Sequence, residues 1–220
     1  RISILVCLVD LALFSNGCRQ ERAVSPPADL QRRLAAVEAT PTVAAPENPW
    51  SCGLRVRLRF LREDLSAGRV SLASAAEAMK VLEEEVAQVA AGRSDSLLEP
   101  GSSRTLGYCS EIDRSDQPYL LQIPKEHDGK TPLPLVVFLH GQGMFNPRQF
   151  SAPAIPGAYV VGPQGRGGMD WMFVAEPDVL SVIAQARRLV PVDEKRIYLA
   201  GASMGGTGCW HLASSYPDLF

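Results

Sequence analysis

Long apolar runs, metal-type cysteine spacing and histidine are all scarce in this chain. The longest apolar stretch, Ile2–Phe14, is interrupted by Asp10 and falls short of the roughly 20 residues that a membrane-spanning helix needs. The five cysteines, at positions 7, 18, 52, 109 and 209, include no two at ligand spacing, so no metal site is expected. There is no phosphate-cradling glycine loop and no dinucleotide fingerprint, so no cofactor is expected either. Twenty-two basic and 24 acidic residues leave a net charge of −2, and neither sign dominates. Arg55, Arg57 and Arg59 are interspersed among acids and read as a solvated face, not as a nucleic-acid surface. With only three histidines, at 127, 140 and 211, few side chains could serve as a general base.

Two glycine-rich turns carry the chemistry. The first is Gly201-Ala202-Ser203-Met204-Gly205, which has the Gly-x-Ser-x-Gly form of a nucleophile elbow. Lys195–Ala200 before it reads as a buried strand. Met204–Ser215 after it contains no proline and reads as a helix. Such a turn holds Ser203 in a strained conformation, and Gly201 and Gly205 let strand and helix approach closely. The second turn is His140-Gly141-Gln142-Gly143, after the apolar run Pro134–Leu139, which reads as a strand buried on both faces. The loop sits where an acyl-transfer enzyme places its oxyanion hole. The N–H groups of Gln142 and Met204 are the two donors expected there, each typically worth about 3–4 kcal/mol in the transition state.

Between these turns, Ala158–Gly162 reads as another buried strand. A glycine-rich loop follows, with Trp171 and Met172 as candidate pocket-lining residues, core packing being the equal alternative. Then comes a helix with Asp178 as N-cap and an apolar stripe through Val179, Val182, Ile183, Ala186, Leu189 and Val190. Upstream, Thr105–Asp113 and Pro118–Pro124 read as an antiparallel pair joined at 114–117. Strands alternating with helices predict an α/β fold with a mostly parallel, doubly wound sheet.

At this point the sequence resembles the α/β-hydrolase superfamily, in particular secreted esterases related to polyhydroxybutyrate depolymerases, feruloyl esterases and prolyl-oligopeptidase-type hydrolases. The resemblance covers about residues 107–220. It rests on Gln117-Pro118-Tyr119, the Pro134–Gly143 strand and loop, Glu176-Pro177-Asp178-Val179, the Arg196–Gly206 elbow segment and its continuation to Phe220. It implies a Ser203 nucleophile, an oxyanion hole from the loop after His140 plus Met204, and hydrolysis of a carboxylic ester through an acyl-enzyme. It also implies an acid and a histidine later in the chain than Phe220. The sequence, which starts at Arg1, is therefore expected to be part of a longer reading frame and inactive by itself. The alternatives are a peptidase of prolyl-oligopeptidase type and a non-catalytic surface protein on the same fold.

None of the three histidines suits the role of base. His211 lies eight residues into the elbow helix, about 12 Å along its axis from Ser203 at 1.5 Å per residue, against the roughly 3 Å a base requires. His140 is expected to be structural, and His127, beside Asp128-Gly129, a solvated turn residue.

The remaining segments give residues 1–18 as an export signal, with cell-envelope or secreted localisation expected. Gly17-Cys18 resembles a lipoprotein cleavage site in which a lipid on Cys18 would attach the protein to a membrane. Ser15-x-Gly17 suits ordinary signal cleavage equally well. Residues 19–50, rich in alanine and proline, read as a tether. Residues 51–99 read as a helical hairpin: Leu54, Leu58, Leu61 and Leu65 share one face, preferred to a strand alternating Leu54, Val56, Leu58 and Phe60 because the spacing continues through Leu65, and Ser71–Ala91 carries a stripe ended by Gly92. Residues 104–220 are the hydrolase part. Cys52 and Cys109 could pair in an oxidising compartment, which the sequence leaves open.

Overall fold

The computed structural model describes residues 26–45, 48–143 and 152–220. The export signal, Cys18 and Cys7 lie outside these residues. Five strands form one sheet in the order β1-β2-β4-β3-β5: β1 (Ser103–Cys109), β2 (Asp116–Gln122), β3 (Leu133–Leu139), β4 (Tyr159–Pro163) and β5 (Val192–Gly201). β2 runs antiparallel to both β1 and β4, while β3 is parallel to β4 and to β5, so only β2 opposes the common direction. This is the mostly parallel α/β sheet expected from the alternation of elements.

The alternation of side chains along β3 divides the core. Leu135, Val137 and Leu139 are fully buried on the face that meets α5 (Ala175–Leu189) and α6 (Met204–Ser215). Val136 and Phe138 point to the opposite face, with Val160 and Ala158. β4 is buried along its whole length, as a strand flanked on both sides should be. The elbow strand differs from the reading of Lys195–Ala200 as buried. It is the outer strand of the described sheet, where Ile197 is buried and Tyr198 is half exposed. The hairpin turn is also longer than expected. β1 ends at Cys109 because Ser110 N–H donates to Ser115 O, and Asp113 binds the Ser115 amide and hydroxyl. Residues 110–115 thus form a closed polar turn.

The helical region contains α1 (Ala28–Glu38), the short α2 (Pro41–Ala44), α3 (Pro49–Ser66) and α4 (Leu72–Ala90). Ser71 caps α4 by accepting the Ser74 amide, and Gly92 at φ +69° ends it. Leu54, Leu58, Leu61 and Leu65 are buried against Ala75, Met79, Leu82 and Val86, which settles α3 as a helix. The expected tether is in large part not one. Leu30, Leu34, Val37 and Val43 join this same cluster, so residues 28–44 are packed structure. Their apolar spacing is short, but it finds a ready-made face on α3 and α4.

The arginines of α3 also depart from a solvated face. Arg55 binds Asp116 through two nitrogens and donates to the carbonyls of Val43 and Ala45. Arg57 pairs with Glu85, which Arg104 of β1 also contacts at 2.8 Å. These pairs fasten the helical layer to the sheet.

Candidate active site

β3 and β5 are neighbours in the sheet, and Leu139 pairs with Gly201 at their carboxyl ends. The chain leaves β3 to one side, towards β4, and then returns to the other side of β3 to form β5. Such a reversal leaves a crevice beyond the carboxyl ends of the two strands. The two turns singled out in the sequence emerge side by side at that point.

Ser203 stands between β5 and α6 at φ +54°, ψ −119°, a region that non-glycine residues rarely occupy. Its side chain is exposed. The turn is closed by Gly205 N–H donating to Ala202 O at 2.9 Å and Thr207 N–H donating to Ser203 O at 3.1 Å. The flanking glycines are obligatory on contact grounds. A Cβ at Gly205 would lie 1.9 Å from Leu139 O, and one at Gly201 would lie 2.6 Å from the Gly205 carbonyl. Strand β3, strand β5 and helix α6 therefore meet backbone to backbone beneath the serine.

The His140 turn lies against the elbow. A Cβ at Gly141 would sit 3.2 Å from Ala202 O and 3.6 Å from the Ser203 Cβ. Gln142 is exposed and follows directly, and Gly143 turns the chain at φ +84°. Met204 is the first residue of α6, so its N–H belongs to the first turn, where helix amides lack intrahelical acceptors. The structure thus brings together Gly141, Gln142, Ser203 and Met204 at one end of two paired strands.

His140 is buried and serves as a support. Nε2 faces Gln164 O at 2.9 Å, Nδ1 faces Gly141 O at 3.0 Å, and Trp171 packs edge-on against the ring. Of the two readings of Trp171, pocket wall and core, it takes the core. It is 1 % exposed, its Nε1 donates to His140 O at 3.1 Å, and its ring fills the space over Gly165 and Gly208. It ties the loop after β4 to the His140 turn and to α6. Met172 beside it is half-buried.

The other two histidines are engaged elsewhere. His127 Nδ1 is 2.7 Å from Tyr159 OH, so it is more enclosed than a solvated turn residue. His211 Nε2 contacts Glu176 at 2.6 Å, with Tyr216 OH donating to the other carboxylate oxygen at 2.5 Å. Those two bonds, Tyr216 first, hold the Glu176 carboxyl below its ordinary pKa. Among the described residues, no group of three or more His, Cys, Asp or Glu side chains could hold a metal ion. No described helix is long and apolar enough to cross a membrane.

One polar cluster escaped the sequence reading. Asp178, expected as the N-cap, lies inside α5 at 2 % exposure, because the helix starts three residues earlier. Arg166 at φ +54° binds Asp178 at 2.7 Å, Asp113 at 2.5 Å and Ser110 Oγ at 2.7 Å. Burial, followed by the nearby Asp178, pushes the Tyr108 hydroxyl far above its ordinary pKa. The cluster joins the hairpin turn, the loop after β4 and α5. No local sequence signal marks it, since Arg166 lies 53 and 56 positions from its hairpin partners Asp113 and Ser110.

No protein-family model matches the sequence, and neither does any curated protein. Several solved structures are similar to the chain. A thermostable esterase is 28% identical with a TM-score of 0.43, the match covering 54% of this chain and 39% of that one. The serine hydrolase FphF of Staphylococcus aureus is 22% identical with a TM-score of 0.42, over 55% of each chain. A prolyl endopeptidase is 16% identical with a TM-score of 0.44, over 54% of this chain and 20% of that one. The chain therefore spans between 39 and 55% of the length of the first two. Its strand order, parallel β4-β3-β5 core and strand–serine–helix turn are those of an α/β-hydrolase fold.

Proposed function

We propose that Ser203 is the nucleophile of a serine hydrolase that cleaves carboxylic esters through an acyl-enzyme. The observation that carries this reading is the strained, exposed Ser203 at a strand–helix junction where only glycine fits at 201 and 205. A strained residue that its surroundings over-determine is characteristic of a functional site. In the reaction the Ser203 Oγ attacks the ester carbonyl, and the oxygen of the tetrahedral intermediate is held by the amides of Gln142 and Met204. Collapse of the intermediate expels the alcohol, and water then releases the acid. Proton transfer requires a base, and His127, His140 and His211 are each occupied with other partners. Nucleophile and oxyanion donors are thus the share of the mechanism assigned to these residues.

A peptide substrate, as in the prolyl-oligopeptidase-type hydrolases that the sequence also resembles, is the alternative reading. We further propose that the protein works after export. A fluorophosphonate probe on the full-length gene product should label Ser203, and Ser203→Ala should abolish labelling. Equal labelling of the two would sink the enzymatic reading. Faster turnover of short p-nitrophenyl esters than of proline-containing peptides should separate esterase from peptidase.

A further inference from the structure

Two cysteines from different elements lie near one another where α3 crosses the β1–β2 hairpin, the Cys109 Sγ against the Arg114 carbonyl oxygen at 3.6 Å. Gly107 lies against the backbone of Cys52, so closely that a Cβ at 107 would be 2.8 Å from the Cys52 carbonyl carbon. Residues 107 and 109 of a strand project to the same face, which makes Cys109 the next side chain along β1 on the face that meets α3. Asp116 is the cross-strand partner of Cys109, and such partners have Cβ atoms about 4.5–5.5 Å apart. The same Asp116 side chain interacts with Cys52, and Arg55 Nη2 contacts both the Cys52 Sγ at 3.2 Å and the Asp116 carboxylate at 2.7 Å. The two thiols therefore share a neighbour. They also line one cavity of about 180 Å³, with Tyr108, Ser181, Gln185 and Arg188 around it.

We infer that Cys52 and Cys109 are a modification site, forming a disulfide that staples α3 to β1 when the protein meets a disulfide oxidant. The half-buried Cys109 is the reachable thiol. Its thiolate attacks one sulfur of the oxidant, forming a mixed disulfide and expelling one thiolate of the oxidant. Cys52 loses its proton to solvent through the cavity and attacks the Cys109 Sγ, expelling the second. Two protein thiols are oxidised and one oxidant disulfide is reduced to two thiols. Burial pushes the Cys52 thiol up to about 11, so the second step quickens as pH rises. The bond closes the loop of residues 52–109, which holds most of the helical region, and locks that layer on the sheet.

The test equilibrates the full-length protein with oxidised and reduced glutathione, blocks remaining thiols with maleimide and maps the peptides without reduction. A peptide pair linking Cys52 to Cys109 is expected, with Cys209, buried on α6, recovered as a blocked thiol. Reductant should then lower the melting temperature by about 5–15 °C. Cys109→Ala should remove that sensitivity, and Cys52→Ser should do the same. If Cys52→Ser does not fold, Cys109→Ala at its less buried position decides alone. Recovery of both residues as thiols, glutathione left on Cys109, or linkage of either to another cysteine would overturn the proposal.

Discussion

Ser203 occupies a backbone conformation that costs about 1–3 kcal/mol for any side chain. It persists because Gly201, Gly205 and Leu139 leave the chain no other route from β5 into α6. Ser203→Gly should therefore raise unfolding stability by about 1 kcal/mol in urea titration while abolishing any reaction with fluorophosphonate. A variant that lost stability would show that the conformation is not strained. Gly205→Ala should act in the opposite direction, because its Cβ would collide with the Leu139 carbonyl oxygen. A loss of about 3 kcal/mol or more is expected, read from the same titration.

At the scale of elements, the loop between β4 and α5 is held by two side chains with different physics. Trp171 fills a slot that Gly165 and Gly208 keep open and bonds to the His140 carbonyl. Trp171→Ala should cost about 3–5 kcal/mol and should also release the His140 turn from α6. Arg166 acts by charge: it is the partner of the buried Asp178 and bridges to the hairpin turn at Asp113 and Ser110. Arg166→Ala should destabilise by about 3–5 kcal/mol, since it strands a buried carboxylate. Arg166→Lys should recover little, because one ammonium cannot serve partners arranged around a planar fork. Thermal melts of the three variants test both statements.

Across the whole molecule, several carboxylates are held below their ordinary range. Asp113 is lowered first by Arg166 and then by Ser115, Asp128 first by Thr131, Glu83 by Arg33, and Glu176 by Tyr216 and His211. Because folding lowers these values, the unfolded chain binds more protons than the folded one as pH falls through the carboxylate range. Their contribution is complete above about pH 5 and is lost progressively below about pH 4. The melting temperature should fall over that interval, and Asp113→Asn should flatten the decline. A melting temperature independent of pH there would show that these pairs are not made in solution.

The elbow was legible at Gly201–Gly205, because the spacing of two glycines about a serine reflects a local steric need, and Leu139 O beneath Gly205 satisfies it. The runs 134–139 and 158–162 also announced strands through unbroken hydrophobicity, since a parallel strand is covered on both faces. The apolar spacing of α3 and the stop residue of α4 likewise belong to short stretches of chain. Tertiary structure decided what depends on partners distant in sequence. Residues 28–44 became a packed layer only because α3 and α4 offered a face, and Arg55 became an anchor only because Asp116 stood opposite it. Trp171 was decided for the core over a pocket wall, and Asp178 moved from cap to buried ion, once loop and helix were brought against the sheet. Local sterics and periodicity are written in consecutive residues; burial and charge pairing are properties of neighbours that the folded chain alone brings together.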